Sequence, residues 1–194
     1  MQTISRVYDS YAQAERVVRD LESANVPSTD ISLVANKYVS EKYANVEETS
    51  AAASGAGFGA VVGGGAGLLA GLGMLAIPGL GPVVAAGWLA STALGAVAGS
   101  ATGGIIGALI GNGTPEHDAH VYSEAVRRGG TLVTVRTDRD LHDIETIMSR
   151  HQPIDPGTRR REYEQTGWAG FDPKAPAYKP GQAEIERIRR RYEY

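Results

Sequence analysis

The chain has no cysteine among its 194 residues, which excludes a disulfide framework, thiol catalysis and any cysteine-based metal site. Its 22 acidic and 19 basic residues leave a net charge of −3, a balance that argues against a dedicated nucleic-acid binder. Residues 1–9 carry neither a basic n-region nor an apolar h-region, so no cleavable secretory signal is expected. No GxxxxGK[ST] pattern occurs, so no Walker-type phosphate loop is expected either. One absence is local and far more informative. Residues 49–115, 67 in a row, contain no Asp, Glu, Lys or Arg.

What fills that stretch is glycine, 19 of the chain's 25. Gly55, Gly59, Gly63, Gly67 and Gly71 recur at every fourth position, and Gly87, Ser91, Gly95, Gly99, Gly103, Gly107 and Gly111 resume the rhythm after a Pro/Gly break at 77–82. A four-residue period drifts slowly around a helix of about 3.6 residues per turn, so each run predicts a small-residue stripe suited to GxxxG-type packing. Glycine costs about 1 kcal/mol against alanine inside a helix, so such helices need a bilayer or a tight protein interface to enforce them. The spacing therefore predicts two helices, 51–76 and 83–111, joined as a hairpin across 49–113. Each would be roughly 40 Å long, enough to cross a hydrocarbon core of about 30 Å. Trp88 fits either an interfacial anchor or a core aromatic beside a glycine notch.

The flanks read differently. Residues 3–8 suggest a strand, and Ser10 with Gln13 forms a capping box ahead of Ala14, Val17, Val18 and Leu21 at helical spacing. Asn25-Val26-Pro27 ends that helix, and Ile31, Leu33 and Ala35 alternate along a second strand. After the glycine stretch, Thr114-Pro115 offers an N-cap and N1 proline to a helix over 116–128, which Gly129-Gly130 stops. Residues 131–137 are the clearest strand, and Asp138 caps a helix carrying Leu141, Ile144, Ile147 and Met148. A short strand around 154–159 completes the pattern. The expected class is α+β: a ferredoxin-like βαββαβ domain, from 1–48 and 114–160, interrupted by the helical hairpin. Residues 161–194 form a Pro/Arg-rich tail whose Trp168, Phe171 and Tyr178 segment is either disordered or an extended arm, with a short helix near 183–192.

The runs VYDSYAQAERVVRDLESANV, DISLVAN and YSEAVRRGGTLVTVRTD, with GWAGFDP in the tail, resemble the bacterial heat-induced general stress protein domain family over roughly residues 1–36 and 116–160. The resemblance implies a small α/β domain, often with a glycine-rich hydrophobic insert, and supplies no catalytic residues.

The search for chemistry returns little. The run 71–76 imitates a GxGxxA dinucleotide fingerprint without a strand-to-helix turn to hold it. His117 and His120, near Glu116, Asp118 and Glu124, have helix-face spacing for a metal, yet a polar helix start explains them better. His142 and His151 read as surface residues. Arg127-Arg128, Arg159-Arg160-Arg161 and Arg187 with Arg189-Arg190-Arg191 are basic clusters that suit either anionic headgroups or neighbouring glutamates. The expectation is a non-enzyme with no cofactor, no metal and no nucleic-acid partner. Membrane lipid and further copies of the chain are the expected partners, and a small-molecule ligand is undefined. The hairpin would sit in the inner membrane with both termini cytoplasmic and the 77–82 turn crossing. The alternatives are a cytoplasmic self-assembling protein and a ligand-binding regulatory domain.

Overall fold

In the computed structural model the described residues are 2–36, 73–77, 80–89 and 104–176, with Gly181 and Glu186. Five strands form one sheet: β1 (Gln2–Tyr8), β2 (Ile31–Asn36), β3 (Gly73–Ile77), β4 (Gly81–Ala86) and β5 (Thr131–Thr137). Their spatial order is β1-β5-β2-β4-β3, and every neighbouring pair is antiparallel. The class is α+β.

Two helical layers sandwich the sheet. On one face lie α1 (Tyr11–Ser23) and, later in the chain, α4 (Leu141–Arg150). Ala14, Val17, Val18 and Leu21 of α1 meet Ile144 and Met148 of α4 over Ile4, Tyr8, Ile31, Leu33, Val133 and Val135. The capping box forms as the sequence reads: the Ser10 hydroxyl accepts from Gln13 N–H, and the Gln13 side chain accepts from Ser10 N–H. Asn25, at φ 60°, ends α1 in the left-handed region that asparagine tolerates. The opposite face carries α2 (Ile105–Gly111), α3 (Glu116–Arg127) and α5 (Pro156–Glu164). There Val7, Val34, Val83, Ala85 and Leu132 meet Ile105, Leu109, Tyr122, Val126 and Tyr163. The middle strand β2 is buried at all six positions because it serves both layers, and its polar residues find partners. Ser32 Oγ donates to Ala86 O at 2.8 Å and accepts from Leu89 N–H at 3.2 Å; Asn36 Nδ2 donates to Arg127 O at 3.0 Å.

Several expectations need correction. Residues 73–76 and 83–86, placed by the glycine period in two helices, lie instead in β3 and β4, which pair with each other and, through β4, with β2; Ile77, Gly81 and Pro82 of the expected break belong to the same two strands. Within the break, Ile77 pairs with Gly81 and Leu80 N–H bonds Ile77 O at 3.0 Å. The reason is visible in the residues. Met74-Leu75-Ala76-Ile77 and Val83-Val84-Ala85-Ala86 flank a Pro/Gly turn, which is hairpin chemistry of strands as much as of helices. Of the second predicted helix, Ile105–Gly111 is helical, starting after Gly104 at φ 84°. The helix after β5 starts at Asp140, which accepts from His142 N–H, rather than at Asp138. Thr114 does not cap α3; its hydroxyl lies 3.4 Å from Ser5 Oγ, beside the Ser5–Thr134 pair at 3.2 Å. The strand expected around 154–159 is instead the start of α5, capped by Asp155 with Pro156 in its first turn.

Candidate functional site

The most elaborated polar region lies where α3, α5 and residues 165–176 meet. The carboxylate of Glu124, 1% exposed, lies 3.0 Å from Arg127 Nε and 2.6 Å from Arg128 Nε. Spacings of three and four residues put both guanidiniums on the glutamate's side of the helix. Arg128 then lies over the ring of Tyr163, 4.3 Å from its centroid, a cation–π contact joining α3 to α5. Tyr163 in turn meets Trp168 edge-on, with ring centroids 5.6 Å apart at 68°.

A second clasp fixes α5 to the β1–α1 junction. Arg159 forms a two-pronged pair with Asp9, Nη1 to Oδ1 at 2.8 Å and Nη2 to Oδ2 at 2.9 Å. Burial works against the arginine's charge, but the Asp9 bonds and the Asp9 charge outweigh it, and its pKa moves up. Tyr163 is pushed above the usual phenol value by burial, opposed by the charge of Arg159. Burial likewise raises Tyr8 and Tyr122, with the Arg6 charge opposing in each case. Tyr8 Oη donates to Met148 O at 2.9 Å, whereas the phenol oxygens of Tyr122 and Tyr163 accept from the guanidiniums of Arg6 and Arg159. Such groups serve as struts, not as bases near neutral pH.

Beyond α5 the chain turns at Gly167, φ 83°, and crosses back to α3. Phe171, 6% exposed, joins the core cluster, with Trp168 packed against it. The Phe171 N–H donates to His120 Nδ1 at 3.2 Å. An open cleft of about 370 Å³ lies here, lined by Glu116, His117 and His120 of α3, Arg160 and Glu164 of α5, and Trp168. His117 and His120 do line one cleft, but among the described residues no group of three His, Cys, Asp or Glu side chains is placed to hold a metal. His151 lies 2.8 Å from Asp20 Oδ2, tying the end of α4 to α1, while the main-chain N–H of His142 is held by Asp140.

The small residues expected to pack helices separate into groups. Gly55, Gly59, Gly63, Gly67, Gly71, Ser91, Gly95, Gly99 and Gly103 lie outside the described residues. Gly107 and Gly111 lie in α2. Gly87 is in no helix. Its φ is +87°, and an added Cβ would stand 2.3 Å from Ile31 O; it lets the chain leaving β4 press against β2. Besides the Asp9 pair, Arg159 meets Glu162 at 3.1 Å, Arg160 meets Glu164 at 2.8 Å and Arg161 Nη2 donates to Thr158 Oγ1 at 2.9 Å, whereas 187–191 and Tyr178 lie outside the described residues. Sequence inspection singles out neither Asp9 nor Tyr163, and it groups Glu124 with His117 and His120 rather than with the arginines. The i, i+3 and i+4 spacing of Glu124 to Arg127 and Arg128 is the signal that pairs them.

No family model, curated protein or solved structure matches this chain. Among the described residues no helix is long and apolar enough to cross a membrane.

Proposed function

We propose that this is a non-enzymatic general stress-response protein of the heat-induced type, an α+β frame that holds glycine-rich segments for association with further copies of itself. The observation that carries this reading is the position of β3 and β4. Ile77 and Leu80 are 2% and 0% exposed within the domain core, which supports a role in the frame over a loop beyond a bilayer. β3 and β4 divide the uncharged run into residues 49–72 and 90–103. The four-residue glycine spacing in both runs is what close approach between copies would use, and this favours a protein interface.

The frame itself supports a ferredoxin-like reading. The order β1-β5-β2, with α1 and α4 on one face, follows that pattern. Its fourth strand would pair with the outer edge of β1, and there Ile154 N–H bonds Val7 O at 2.8 Å before Pro156 starts α5. Light scattering on the full chain and on Gly63→Leu and Gly99→Leu tests the association. The expected result is a defined oligomer that both substitutions shrink, recovered without carbonate-resistant membrane. Retention in a carbonate-washed pellet released only by detergent, or an oligomer unchanged in both variants, would reject the reading.

A further inference from the structure

We infer that residues 165–176 form a proton-sensitive strap, closed over α3 while His120 is neutral and released when that ring takes up a proton. The hydrogen bond that ties the strap to α3 runs from Phe171 N–H to His120 Nδ1, at 3.2 Å. An imidazole nitrogen accepts a hydrogen bond only when it is unprotonated, and an imidazolium carries N–H donors at both nitrogens. Protonation therefore sets two donors face to face. The approach is close because Gly170, at φ +142°, has only open space and the ring beside it, His120 Nδ1 lying 3.8 Å from where a Cβ would stand.

A separate observation says that closure leaves something unmet. The indole Nε1 of Trp168 is buried with no hydrogen-bond partner. A buried unpaired donor destabilises the state that buries it and regains water when that state opens. Burial of Phe171 holds the strap down, and the Trp168 donor works against it, so loss of the His120 bond weighs on a contact already partly opposed. The charged neighbours on each packed element are Glu116 and His117 on α3, Arg160 and Glu164 on α5, and Asp172 on the strap. Arg160 and Glu164 pair at 2.8 Å, His117 lies 3.2 Å from Asp118, and Asp172 Oδ1 accepts from Lys174 N–H at 2.8 Å. Glu116 lines the same cleft. The open strap holds one more proton than the closed one, so falling pH opens it and rising pH closes it.

Fluorine NMR on the full chain labelled with fluorotryptophan reads this directly, because the chain has two tryptophans and Trp168→Phe assigns them. Trp88, whose indole N–H reaches Asp30 O at 3.3 Å, is the internal reference. Between about pH 8 and pH 5, the range in which imidazoles titrate, the Trp168 resonance should move to its solvent-exposed position in one transition while Trp88 stays fixed. His120→Gln offers a carbonyl acceptor that does not titrate, and should abolish the transition; His117→Gln should keep it. A Trp168 resonance that does not move, a transition that survives His120→Gln, or one in which Trp88 moves equally would overturn the strap.

Discussion

Two regions of the sheet are joined to their neighbours in opposite ways. On the α1–α4 face, contact is made by side chains: Val17, Val18 and Leu21 interlock with Ile144 and Met148, all 2% exposed or less. At the edge where β4 leads into the rest of the glycine-rich stretch, contact is made by a missing side chain. Gly87 lets the backbone come so near β2 that an added Cβ would also lie 2.8 Å from Ser32 Cα. The first kind of contact tolerates change in proportion to volume lost or added. The second tolerates almost none, because both partners at the contact are main chain.

Gly87→Ala should therefore have the largest effect. A non-glycine residue at φ +87° costs about 1–3 kcal/mol, and displacing backbone to admit the Cβ costs a further 1–3 or so. Urea denaturation should register a loss of about 3–5 kcal/mol and release of the Leu89–Ser32 bond. A loss below about 1 kcal/mol would mean that the close approach does not exist, and the contrast between the two regions would collapse.

That contrast also sets what the sequence disclosed. On the α1–α4 face each layer alternates or repeats in its own period, so the capping box and the apolar stripes of α1 and α4 were legible. β2 was legible as Ile31, Leu33 and Ala35, which all face that layer; Val34, which faces the other, broke the pattern. The glycine-rich stretch was misread over 73–86 because glycine lacks the side chain that distinguishes a period of two from one of 3.6. A four-residue spacing suggests a helix, whereas Val83, Val84 and the Pro/Gly turn favour strands. The strap was half legible: Trp168 and Phe171 marked an apolar arm, but nothing local in sequence says that α3 receives it or that His120 fastens it. The Glu124 clasp was lost for a similar reason. That arginine clusters suit neighbouring glutamates does not single out Glu124 as the partner or place Arg128 over Tyr163 of α5.

A smaller effect sharpens the legible side. Ser10→Ala removes the acceptor for Gln13 N–H while leaving the apolar stripe of α1 intact. Loss of a serine N-cap costs about 1 kcal/mol, within roughly 0.5–2. Thermal melts of the variant should fall accordingly, and Ser10→Asp should recover most of the loss because it restores the acceptor. If Ser10→Asp fails to recover stability, the hydroxyl matters through its burial and not as a cap.

The smallest effect asks whether every glycine of the period has the same meaning. Gly111 closes α2 with nothing within 4 Å of its Cβ position, the reverse of Gly87. Alanine there removes the entropic cost of glycine, so Gly111→Ala should stabilise the fold by less than about 1 kcal/mol. Because a helix end is worth less than its interior, roughly half of that is expected. Measured beside oligomer size, the variant separates two uses of one residue. A higher melting point with an unchanged oligomer makes Gly111 a bystander of the period. A higher melting point with a smaller oligomer makes its open face a contact between copies, and extends the glycine stripe from residues 90–103 onto α2.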